Sequence, residues 1–185
     1  MKTRTMILTA LFAALTATGA FLRIPIGESS FTLQVLFTCL AGVLLGPVFG
    51  ALSQLVYVLL GLIGLPVFTA GGGISYLFQP TFGFLLGLIP MAWVVGALAG
   101  DGQRPIRTAV ACLAGLAVLY LVGMPYMGLI LNVYLGKGLS LTALLWAGML
   151  PFLPFDALKI AAVAVVSAPL CRGLPGRQAK EPVQK

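Results

Sequence analysis

The stretch Pro151-Phe152-Leu153-Pro154-Phe155-Asp156-Ala157-Leu158-Lys159-Ile160 decides how the rest of the chain is read. It sets an acid and a base in a run that is otherwise apolar, and no other charge stands between Leu139 and Leu170. A lone ionised side chain in hydrocarbon costs about 2.5–3.5 kcal/mol on insertion scales and more in simulations. Asp156 and Lys159 are three residues apart, so on a helix they share a face and neutralise each other. Pro151 and Pro154 interrupt the preceding helix and put Asp156 in the first turn of a new one, where the positive helix end favours an acid. Two readings fit such a pair. One is a structural ion pair that pins helices together; the other is a ligand site, because intramembrane charges face a cavity or a bundle interior.

Composition supplies the setting. Of 185 residues, 60% are hydrophobic and 8% charged, against about 25% charged in soluble domains. The apolar runs are continuous rather than alternating, which predicts membrane-spanning helices and not a barrel. The fold class expected is all-α and polytopic, one integral membrane domain over 1–185 with a polar tail at 172–185. The net charge of +7 is spread in clusters between apolar runs, as topology signals are, so nucleic acid is not an expected partner. Cys39, Cys112 and Cys171 are isolated and odd in number, which argues against disulfides and against a metal site. Histidine is absent, and with it the commonest metal ligand and general base.

Six crossings are expected: 5–22, 31–45, 48–63, 80–100, 108–131 and a last one after Pro154. The first begins like a signal peptide, with Lys2 and Arg4 before an apolar run, but it is long enough to span. Its alanines recur at four-residue spacing, Ala10 with Ala14 and Ala13 with Ala17, which lets another helix approach closely. Segment 23–30 is expected as a plain connection. Gly46-Pro47 carries no charge and predicts a tight turn between two short spans. The fifth span is expected to be interrupted at Gly123 and Pro125. The run 139–171 is too long for one straight crossing, so a surface helix before Pro151 is expected.

Six crossings put both ends on one side. That side holds eight basic residues, Lys2, Arg4, Arg104, Arg107, Arg172, Arg177, Lys180 and Lys185, and the other holds Arg23 and Lys137. The bias predicts cytoplasmic termini. Lys159 precedes Arg172 by 13 positions, roughly 20 Å of helix, which sets it in the outer half of the membrane.

The second informative stretch is 64–79, Gly-Leu-Pro-Val-Phe-Thr-Ala-Gly-Gly-Gly-Ile-Ser-Tyr-Leu-Phe-Gln. Three consecutive glycines break any helix, yet the loop keeps Val67, Phe68, Ile74, Tyr76, Leu77 and Phe78. A solvated linker is polar. An apolar, aromatic, glycine-rich loop reads either as a re-entrant structural loop or as a lid over a cavity, with backbone at Gly72 able to approach a ligand. Charged pair and lid fall on the same outward side, which favours a binding cavity. No nucleotide-binding glycine loop and no zinc-protease helix motif are present, and no second carboxylate accompanies Asp156 in the membrane. Catalytic residues are not expected, nor a metal.

At this point the residues resemble a known family. Ala10 to Ala20, Thr32-Leu-Gln34, Leu44-Leu-Gly-Pro47, Gly64-Leu-Pro-Val-Phe68 with Gly71 to Gly73, Gln79-Pro-Thr-Phe-Gly83 and Phe152-Leu-Pro-Phe-Asp156-Ala-Leu-Lys159 look like BioY, the biotin-binding S component of energy-coupling-factor (ECF) vitamin transporters. The resemblance covers nearly the whole chain. It departs at Gln79, Phe82 and Phe155, where many members have Gly. It implies a six-helix, multi-pass protein of the bacterial cytoplasmic membrane that captures biotin from outside. It implies a transmembrane coupling subunit and two ATPase subunits as partners, ATP being used by them and not by this chain, with Ala10 and Ala14 as the docking strip. A homo-oligomer is compatible with it. Asp156 and Lys159 match the acid and base of the biotin site, and Phe68, Tyr76, Gly72 and Asn132 are further contacts it suggests. The alternatives are the same architecture for another vitamin, or an intramembrane enzyme using Asp156 and Lys159, against which the absence of catalytic partners speaks.

Overall fold

The computed structural model describes residues 3–26 and 29–173. Helix α1 (Thr3–Phe21) leads into a two-stranded antiparallel ribbon, β1 (Arg23–Ile26) with β2 (Ser29–Thr32), in which Arg23 pairs with Thr32 and Pro25 with Ser30. Helices α2 (Gln34–Leu62), α3 (Phe82–Leu98), α4 (Pro105–Gly128), α5 (Leu141–Gly148) and α6 (Leu153–Gly173) follow.

Helix α2 is continuous only in name. Gly46 has φ 82° and ψ 179°, a conformation open to glycine and closed to other residues, and Pro47 lacks the N–H that would carry the helix on. The chain therefore folds back. Gln34 Nε2 donates to Tyr57 Oη at 2.9 Å and Thr38 Oγ1 to Gln54 Oε1 at 3.0 Å, whereas 23 residues of straight helix would separate the first pair by roughly 35 Å. The pairs 34/57, 38/54 and then 42/50 close on the turn, and a Cβ on Gly50 would lie 2.9 Å from the Gly42 Cα. Arms 34–45 and 47–62 are thus two antiparallel crossings. With α1, α3, α4 and α6 they make the six expected, and the charge-free Gly46-Pro47 turn is where the sequence put it. Helix α3 packs directly on that turn, since a Cβ on Gly96 would sit 2.5 Å from Pro47 N.

The core runs between these helices through Val43, Tyr57, Met91, Val95, Cys112 and Leu119. Ile7, Leu11, Val110, Leu113, Leu121 and Val165 point outward, as helices facing lipid require. One fully buried polar cluster ties α1 to both arms of α2. Gln54 Nε2 donates to Thr16 Oγ1 at 3.3 Å and to Ser53 Oγ at 3.0 Å, while its Oε1 accepts from Thr38. In hydrocarbon such groups need partners within the protein.

Helix α5 spans 8 residues, about 12 Å, too short to cross. It is the surface helix expected before Pro151, started by Ser140, whose Oγ accepts from Ala143 N at 3.2 Å. Helix α6 begins at Leu153 with Pro154 in its first turn, where no N–H is needed, and Asp156 lies in that turn.

Two expectations are corrected. Segment 23–30 is not a plain connection: it belongs to the β ribbon, and the second crossing starts at Gln34 rather than Phe31. Nor is the fifth span interrupted at Gly123 and Pro125, because α4 runs through both to Gly128. Gly123 admits the ring of Phe84, whose Cδ1 would lie 2.3 Å from an added Cβ. The break comes later as a π turn, Leu129–Tyr134, closed by Leu135 N to Ile130 O at 2.9 Å. Lys2, Arg177, Lys180, Lys185 and most of the polar tail lie outside the described residues.

Candidate functional site

The starts of α2, α3 and α6, the second half of α4, the end of α5, the ribbon and the 64–79 loop converge at one end of the bundle. They enclose a cavity of about 90 Å³ lined by residues that include Gln34, Tyr76, Leu88, Tyr120, Asp156 and Lys159. Arg104 and Arg107 open α4 at the opposite end, and Arg172 closes α6 there.

Asp156 and Lys159 are buried, 3% and 6% exposed, and Lys159 Nζ donates to Asp156 Oδ1 at 2.8 Å. Helical i, i+3 spacing on α6 brings them together. Tyr120, on α4, donates its hydroxyl to Asp156 Oδ2 at 2.7 Å. Both carboxylate oxygens thus carry a donor, and the pair is neutral overall. Lys159 also faces the Phe31 ring at 4.3 Å from its centroid. The remaining lining is apolar at Val35, Phe84, Leu85, Leu88, Leu119 and Phe152, and carries neutral donors at Ser30, Thr32, Thr69 and Thr81. The cavity can therefore take a flat apolar body with a polar edge, and Lys159 is its single lining cation among the described residues.

The 64–79 loop supplies Thr69 and Tyr76 to the cavity wall and is sewn down. Gly73 N donates to Gly61 O at 2.7 Å, Tyr57 Oη to Val67 O at 3.1 Å, and Tyr126 Oη to Leu77 O. Thr69 Oγ1 and Tyr76 Oη lie 2.8 Å apart, both lining the cavity. The hydrogen-bonded series Thr32, Gln34, Tyr57, Val67 joins ribbon, α2 and loop.

Of the residues expected at the site, the structure brings Asp156, Lys159 and Tyr76 to the cavity wall. Phe68 stands behind it: 1% exposed, its ring packs on Tyr76 at 4.6 Å and Tyr57 at 5.6 Å, a core contact that supports Tyr76. Gly72 is not among the lining residues either, its backbone being pressed against Leu65. Asn132 is occupied by the α4–α5 connection, donating from Nδ2 to Leu139 O at 2.9 Å and accepting at Oδ1 from Leu139 N at 2.7 Å. On α1, Ala10 and Ala14 are exposed, Ala17 half-buried, and Ala13 packs inward. Tyr120, Thr81 and Phe84 were not singled out by the sequence, where a tyrosine on an apolar helix is indistinguishable from core. Among the described residues no cluster of metal-ligating side chains occurs.

The BioY family model matches residues 1–176. The chain belongs to the BioY family. A probable biotin transporter BioY from Lysinibacillus sphaericus is 48% identical over 136 residues, 72% of this chain and 69% of that protein. One from Pyrococcus horikoshii is 41% identical over 174 residues, 94% of this chain and 99% of its own. The crystal structure of the S-component for biotin from an ECF-type ABC transporter superposes with a TM-score of 0.81 at 27% identity, covering 95% of this chain and 94% of that one. BioY membership makes the chain a multi-pass membrane transport protein rather than an enzyme. Within that BioY frame, Asp156, Lys159 and Tyr120 form the charged and hydrogen-bonded pole of a cavity otherwise lined by apolar and neutral polar side chains.

Proposed function

We propose that this chain captures biotin from outside the cell and delivers it inward as the S component of an ECF-type transporter. The observation that carries the reading is the neutral Asp156–Lys159 pair, buried in a membrane cavity that is otherwise apolar or hydroxyl-lined. Biotin's ureido ring offers N–H donors beside a carbonyl acceptor. Asp156 accepts from the ureido N–H and Lys159 donates to the ureido oxygen, while Tyr76, Phe84 and the leucines enclose the bicyclic body. The described basic residues Arg4, Arg104, Arg107 and Arg172 gather at the end away from the cavity, which supports cytoplasmic termini and an outward-facing site. Energy must come from a partner, because the chain has no nucleotide-binding loop. The exposed Ala10 and Ala14 strip on α1 suits the close approach of a coupling subunit, which in turn carries two ATPases.

Calorimetry of the purified protein against biotin, riboflavin and thiamine tests the substrate. Biotin alone is expected to bind. Binding of either other vitamin without biotin would move the chain to another substrate on the same fold.

A further inference from the structure

The carboxylate of Asp156 is gripped from two helices at once. Lys159, on the same helix α6, holds Oδ1 at 2.8 Å, and Tyr120, on α4, holds Oδ2 at 2.7 Å. Neither donor alone fixes the plane of a carboxylate, which rotates freely about its last bond; two donors from different directions do. Tyr120 is itself held, its ring edge-on to Phe84 with centroids 6.2 Å apart and an interplanar angle of 85°. Its hydroxyl is directed at Asp156. With the plane fixed, Asp156 and Lys159 present an acceptor directly beside a donor. A neutral cyclic urea carries the complementary edge, a carbonyl oxygen beside an N–H.

We propose that Tyr120 is a positioning residue for ligand recognition, acting through Asp156: it holds the carboxylate in the one orientation in which the Asp156–Lys159 edge matches a neutral ureido edge. The inference rests on the biotin reading above and deepens it. A carboxylate freed from Tyr120 turns, and then pairs as readily with a cationic guanidine edge as with a urea.

The test is a double-mutant cycle read by calorimetry with biotin, on the parent, Tyr120→Phe, Asp156→Asn and the double variant in detergent. Phenylalanine keeps the ring against Phe84 and removes only the hydroxyl. Loss of a hydrogen bond to a charged group predicts about tenfold weaker biotin binding or more in the parent background. In the Asp156→Asn background the same substitution is expected to change affinity by less than about twofold, because the charged carboxylate it orients is gone. A second readout is 2-iminobiotin, whose ureido oxygen is replaced by an imine that is protonated at neutral pH. The parent should prefer biotin strongly, and Tyr120→Phe should narrow that preference. Equal losses in both backgrounds, or equal weakening of biotin and 2-iminobiotin, would show that Tyr120 only supports the fold or touches the ligand itself, and would overturn the proposal. Unchanged biotin affinity in Tyr120→Phe overturns it too. A parent that binds no biotin overturns the substrate reading and the proposal together; biotin binding with an additive cycle overturns the role of Tyr120 alone.

Discussion

The ammonium of Lys159 lies 4.3 Å from the ring centroid of Phe31, and that ring packs at 4.6 Å on Phe155. Strand β2 thereby reaches across to α6 and covers the charged pair from the ribbon side. Phe155, on α6, forms half of that cover.

Removing that cover has a kinetic signature. A cation–π contact contributes about 0.5–2 kcal/mol, depending on how far it is desolvated. Phe31→Ala should therefore speed biotin dissociation by roughly 2- to 30-fold with a smaller effect on association, measured by displacement of labelled biotin. A dissociation rate equal to the parent's would show that the ring shields only apolar surface.

Gly72 acts through the loop and not by touching the cavity. A Cβ there would lie 2.1 Å from Leu65 O, closer than any contact the backbone tolerates, so Gly72→Val must shift the segment that carries Thr69 and Tyr76. Binding should weaken several-fold, on the order of 1 kcal/mol, in a protein that still inserts with six spans. Calorimetry of the inserted variant decides; parental affinity would make the loop a connector only.

The buried cluster around Gln54 concerns stability and not the ligand. Gln54→Leu strips Thr38 of its acceptor, while Thr16 and Ser53 lose a donor but keep their bonds to Phe12 O and Gly50 O, and a buried group left unpaired costs about 1–3 kcal/mol. The unfolding temperature in detergent should fall while biotin affinity stays within about twofold, because Gln54 does not line the cavity. A matching loss of affinity would reveal that the cluster transmits to the site.

The alanines of α1 separate coupling from folding. Ala10 and Ala14 are exposed and Ala13 is buried at 3% exposure. Ala10→Trp and Ala14→Trp should purify and bind biotin normally but block labelled biotin uptake by cells carrying the whole transporter, since a flat small-residue strip is what a close helix contact needs. Ala13→Trp has no room and should reduce the yield of folded protein. Normal uptake in the first two would place the coupling surface elsewhere.

Much of this arrangement was legible because its causes are local. Two prolines start α6 and place Asp156 in its first turn; three-residue spacing pairs it with Lys159; Gly46-Pro47 turns α2 back without any charge to mark it. What was not legible depends on distant parts of the chain. Tyr120 meets Asp156 across 36 positions, and nothing in the apolar run of α4 distinguishes a hydroxyl aimed at a carboxylate from one buried elsewhere. Phe68 and Tyr76 look alike in sequence, and only the fold puts one behind the wall and the other on it. Asn132 reads as a ligand contact until the π turn brings it to Leu139. The ribbon is short, and its Pro25 weakens any strand signal.

Because Asp156 and Lys159 cancel, the empty cavity is electrically silent. Biotin enters as a carboxylate at neutral pH and finds no unpaired cation among the described lining residues, so each capture adds one negative charge to the protein. Carrying that charge to an inside-negative cytoplasm works against the membrane potential, at about 2.3 kcal/mol per 100 mV, whereas the emptied site returns without crossing that barrier. Loaded and empty journeys are thus energetically unequal, and uptake by the whole transporter should slow as the membrane is hyperpolarised while binding at the outer face does not.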